Sequence, residues 1–88
     1  LNTIAKPKKY YSLSYLENRN NIYVTNWNIR ALNPSKFNST IYENRIDYSP
    51  QIRYGLEVNY KLFNYFQFAQ QKYKIRLDGG SELSPNFK

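Results

Sequence analysis

The segment QIRYGLEVNYKLF (Gln51–Phe63) decides how this chain is read. Large apolar or aromatic side chains take alternate positions, at Ile52, Tyr54, Leu56, Val58, Tyr60 and Leu62, with Arg53, Gly55, Glu57, Asn59 and Lys61 between them. Alternation is the period of a β-strand with one buried face. A competing helical reading runs from Leu56 to Tyr73, where Leu62, Phe66, Ala69 and Tyr73 stand three and four residues apart. The unbroken alternation favours a strand to about Leu62, followed by a turn or short helix over NYFQFAQQ (64–71).

The flanking sequence extends the same pattern. In KYKIRLD (72–78), Tyr73, Ile75 and Leu77 alternate with Lys72, Lys74 and Arg76, which predicts a second strand with a wholly basic face. Toward the N-terminus, YYSLSYL (10–16) and IYVTNWNIRAL (22–32) read as two strands joined through the turn-rich ENRNN (17–21), a hairpin. NPSKFN (33–38) resembles a helix start, with Asn33 as cap and Pro34 in the first turn. STIYENRIDYSP (39–50) fits strand and helix alike, and Pro50 ends it. The expected fold is a small single domain, α+β or mainly β, with β-hairpins and at most short helices. Residues 1–9 form an extended basic arm, 10–78 a β-rich body, and 79–88 a polar tail that begins at the stop signal Gly79-Gly80.

Length limits what can hold such a fold together. The chain has 88 residues, and a domain of that size has a thin core. It has no cysteine and no histidine. Disulfides are excluded, and no metal or cofactor site of the usual kind is expected. Burial against neighbouring protein subunits is the expected source of further stability.

Charge gives the functional direction. Thirteen Lys and Arg stand against six Asp and Glu, a net charge of +7, with an isoelectric point near 9.7. Such an excess favours a polyanionic partner, nucleic acid or an acidic membrane surface. Enzymatic chemistry has little footing. The carboxylates are scattered, no nucleophile has a histidine beside it, and Glu43 and Asp47 read as solvated charges. LDGGSE (77–82) lacks the Lys-Ser/Thr ending of a phosphate loop. The expected protein is not an enzyme and takes no small-molecule substrate.

The candidate phosphate contacts are Lys6, Lys8 and Lys9 in the arm, Lys72, Lys74 and Arg76 on the basic strand face, and Arg30, Arg45 and Arg53 in support. Ten tyrosines, five phenylalanines and Trp27 can pack against protein or stack on exposed bases. Asn, Lys, Ile, Tyr and Phe, all with AT-rich codons, make up nearly half the chain. That composition fits an organellar genome. The run KYKIRLDGGSE (72–82) resembles a strand-and-glycine stretch of a ribosomal small-subunit protein family, and no residue role is taken from it.

The first expectation is therefore a structural RNA-binding component of a large ribonucleoprotein, a mitochondrial ribosome above all, with ribosomal RNA and neighbouring subunits as partners. The second is an accessory subunit of a membrane-bound respiratory complex, held by protein contacts and lipid headgroups. The third is part of an outer-membrane β-barrel assembly, since a lipid-facing strand also alternates.

Overall fold

The computed structural model describes residues 6–78. Two α-helices of 19 residues each dominate it, α1 (Leu13–Ala31) and α2 (Gly55–Tyr73), after a 3₁₀ turn at Lys8–Tyr10. There is no strand among the described residues. The α+β or mainly β expectation is overturned, and with it the hairpin, the basic strand face and any barrel. The fold is all-helical. The polar tail and its Gly-Gly stop lie outside the described residues, as do residues 1–5 of the arm.

The decisive segment becomes the start of α2. Its buried positions are Asn59, Phe63, Phe66 and Ala69, four, three and three residues apart, which is helical spacing. Ile52, Leu56 and Val58, read as a buried strand face, are exposed. Three chain features open the helix. Gly55 has φ +91°, a conformation that L side chains rarely adopt. The Asn59 side-chain amide then donates to the Gly55 carbonyl at 2.9 Å. Glu57 lies in the first turn, where its negative charge suits the helix dipole.

The expected hairpin 10–32 is mostly α1. Ser12 caps it, its hydroxyl accepting from the Tyr15 N–H at 3.1 Å. Leu16, Asn20, Tyr23, Val24, Trp27 and Arg30 form the buried face. Asn33-Pro34 follows the end of this helix rather than starting a new one. The Asn33 carbonyl accepts from the N–H groups of Lys36 and Phe37, closing a turn.

Pairs between the helices ascend together. Asn20 meets Asn59, Tyr23 meets Phe63, and Trp27 meets Phe66, with Glu17 meeting Arg53 just before α2. The helices thus run in the same general sense, and residues 32–54 must return the chain along them. A 19-residue helix is about 28 Å long, a distance that segment spans easily.

The return segment is held by side chains, because it has no ladder of its own. Trp27 Nε1 donates to the Asn44 carbonyl at 2.9 Å. Asn28 makes a two-way pair with Ile46: its amide donates to the Ile46 carbonyl at 2.9 Å and its oxygen accepts the Ile46 N–H at 2.7 Å. Tyr42 inserts into the core beside Trp27, at 5.0 Å between ring centroids. Beyond α2, Leu77 is fully buried. Its N–H donates to Gln70 Oε1 at 2.7 Å and its carbonyl accepts from Asn26 at 3.0 Å.

The middle of the core is polar where the helices meet. Asn20 and Asn59 are both fully buried. The Asn20 amide donates to the Asn59 backbone carbonyl at 2.9 Å and to Asn59 Oδ1 at 3.0 Å, and the Tyr48 hydroxyl donates to the same Oδ1 at 2.6 Å. Buried amides demand such partners, so this network fixes which residues of α1 and α2 can face each other.

Candidate nucleic-acid interface

The proposed contact residues separate into three environments. Arg30 is buried. Its guanidinium donates to the Tyr42 hydroxyl at 2.8 Å and lies 5.7 Å from the Phe37 ring centroid. It holds the return segment and has no surface to offer a phosphate.

Lys8, Arg53 and Arg76 sit at the surface beside acids. Lys8 forms an ion pair with Glu57, Arg53 lies 3.7 Å from Glu17, and Arg76 lies 3.4 Å from Asp78. The Lys8 ammonium, by hydrogen bonding, holds the Glu57 carboxyl below the usual range. Exposed pairs of this kind contribute little to stability. Their consequence is electrostatic, because they use up the acids carried by both helices.

Lys6, Lys9, Arg45, Lys72 and Lys74 are exposed, with no acidic partner within 4 Å among the described residues. The expected row Lys72–Lys74–Arg76 does not form. Lys72 belongs to the last turn of α2, its ammonium 5.6 Å from the Phe68 ring centroid. Lys74 adopts the left-handed conformation (φ 58°, ψ 46°) that ends the helix, and its N–H donates to the Gln70 carbonyl. Ile75 donates to the same carbonyl at 3.1 Å, completing a Schellman-type cap. Arg76 follows beyond the helix, outside regular secondary structure. Lys36, exposed after α1, joins the cations without acidic partners and was absent from the expectation.

The residues 6–15 bring cations and rings together. Lys6, Tyr10, Tyr11, Ser12 and Tyr15 line an open groove of about 550 Å³. The segment 10–16, read from sequence as a strand, here carries Tyr15 nearly half in solvent. The usable signal was the interleaving itself, lysines followed at once by tyrosines (KPKKYY, 6–11).

A second surface is notable for lacking charge. Asn18, Ile22, Thr25, Ile29 and Leu32 lie on the side of α1 turned away from the core, all exposed. Leu32 is 72% exposed and Ile29 53%.

Glu43 and Asp47 are exposed on the return segment, and no cluster of metal-ligating side chains forms among the described residues. No helix among them is long and apolar enough to cross a membrane.

Comparison with known proteins adds a family. No curated protein and no solved structure matches the chain. A family model described as "Family of unknown function (DUF6146)" matches residues 1–84. That span takes in both helices, the return segment and the groove, and the chain belongs to this family.

Proposed function

We propose that this domain is a non-catalytic RNA-binding component of a ribonucleoprotein, placed by its cations on phosphates and by its uncharged helix face on protein. One observation carries the reading. The acids on the two helices are engaged by Lys8 and Arg53, while Lys6, Lys9, Lys36, Arg45, Lys72 and Lys74 face outward without acidic partners among the described residues. A polymer of negative charge is the partner that such a surplus attracts. The AT-rich codon composition directs the first search to organellar ribosomes.

The test is salt dependence. Each phosphate contact with a single strand contributes a slope of about −0.7 to log K against log salt. With four to six of these cations engaged, a slope of roughly −3 to −4 is expected. A flat response would refute RNA binding.

The exposed Ile22, Ile29 and Leu32 favour a second reading, an accessory subunit of a membrane-bound complex. Co-purification with membranes and without RNA would select it.

A further inference from the structure

The groove formed by residues 6–15 has an aromatic floor with one supported side. Tyr11 and Tyr15 stack with their rings 9° from parallel and their centroids 5.7 Å apart. Behind them stands Phe63, 5.0 Å from Tyr11 and edge-on to Tyr15 at 6.0 Å. Tyr60 meets Tyr11 at 6.2 Å. The backbone is tied to the same rings. The Lys6 N–H donates to the Tyr11 hydroxyl at 2.9 Å, and the Tyr60 hydroxyl donates to the Lys6 carbonyl at 2.9 Å. Tyr15 is therefore braced by its neighbours while 45% of its surface meets solvent.

The rim is cationic. Among the described residues Lys6 lines the groove and no carboxylate does, and Lys9 lies alongside with its ammonium 5.9 Å from the Tyr10 ring centroid. A flat aromatic surface beside ammonium groups that have no acidic partner among the described residues suits a ligand that is itself a flat ring joined to phosphates.

We propose that this groove binds an unpaired nucleotide of single-stranded RNA, its base stacked on the open part of Tyr15 and its flanking phosphates held by Lys6 and Lys9. The inference rests on the RNA-binding reading above and names the form of RNA. In a duplex the bases are stacked and paired, out of reach of Tyr15. A splayed base in a loop or tail can meet the ring with no unpairing cost.

The test compares a ten-nucleotide uridine RNA, a duplex RNA of similar length and uridine monophosphate as ligands of the full chain. Tyr15→Leu is expected to weaken single-strand binding roughly tenfold or more and to leave duplex binding unchanged. Tyr15→Phe should retain single-strand binding, since the ring and not the hydroxyl is used. Lys9→Gln should reduce the salt slope by about 0.7. Photo-crosslinking of the unsubstituted protein to 4-thiouridine RNA should mark Tyr10, Tyr11 or Tyr15, a readout that does not depend on how a variant folds. If RNA binds but Tyr15→Leu has no effect, or the crosslinks fall only elsewhere, the groove assignment is wrong while the broader function stands. Uridine monophosphate bound as tightly as the oligomer would replace the polymer by a small nucleotide. No binding of either RNA overturns both readings.

Discussion

Replacing Lys74 by glycine should stabilise the protein, although it deletes a charged residue. In the left-handed conformation (φ 58°, ψ 46°) a side chain crowds the following carbonyl, at a cost of about 1–2 kcal/mol that glycine avoids. Glycine returns part of this, about 0.5–1 kcal/mol, through the greater freedom of the unfolded chain. The Schellman bonds from Lys74 and Ile75 to the Gln70 carbonyl are backbone bonds and survive the change. A net gain of about 0.5–1 kcal/mol follows, which for a domain of this size is roughly 2–8 °C in Tm. Urea and thermal unfolding, followed by circular dichroism at 222 nm, measure it. Lys74→Ala supplies the control. It removes the same charge and keeps a Cβ, so it should show no comparable gain. The competing picture, with residues 72–78 as a strand, gives the opposite sign, since glycine weakens a strand interior. A lower Tm for Lys74→Gly, or equal gains from glycine and alanine, would refute the cap.

Gly55→Ala should destabilise by about 0.5–1 kcal/mol, the strain of its φ of +91° less the entropy alanine removes from the unfolded chain, because an added Cβ would meet nothing within 4 Å; urea unfolding reads the loss. Asn59→Ala takes the acceptor of the Tyr48 hydroxyl and one of the two acceptors of the Asn20 amide, which keeps the Asn59 backbone carbonyl, a loss of about 1–3 kcal/mol by the usual cost of an orphaned polar group, measured the same way. The Tyr48 hydroxyl is pushed above the ordinary tyrosine range by burial and then by the Glu17 carboxylate. A raised folded pKa gives stability that is complete below about pH 10 and lost as pH climbs through the folded value. Unfolding free energies at pH 9 and 11 should therefore diverge more for the native chain than for Tyr48→Phe.

Some of this was legible in the sequence. The charge surplus, the impossibility of disulfides and the Lys–Tyr interleaving at 6–11 could be read directly. The first helix could not, and the second stood only as a competing reading, for three physical reasons. The buried stripe of each helix is broken by an amide, Asn20 in α1 and Asn59 in α2. The helical period is therefore hidden at the very positions where the helices meet. Tyr, Ile and Val in α1 and Tyr, Phe and Val in α2 have a β preference weak enough for tertiary packing to override. Ile52, Leu56 and Val58 also alternate on a surface that ends up exposed, so the apparent strand face encoded no core. The helix template at Phe66, Ala69 and Tyr73 was present, and it was the better guide. The return segment 32–54 was equally hard to foresee. Its anchors are single side chains reaching distant carbonyls, Trp27 to Asn44 and Asn28 to Ile46, and no local pattern announces those. The basic residues were identifiable, whereas their partners were not, because Glu57 is 49 positions from Lys8.

The long return between co-directional helices bears on how the molecule reaches its native state. Two helices joined by a tight loop can zip together through nearby contacts. Here the interior closes only when Asn20 finds Asn59 and Asn26 finds Leu77, and the chain entropy of those wide encounters must be met before packing rewards it. Refolding should consequently be slow for so helical a protein, with a rate sensitive to changes at Tyr42, Asn28 and Ile46, the clasps that bring the second helix home.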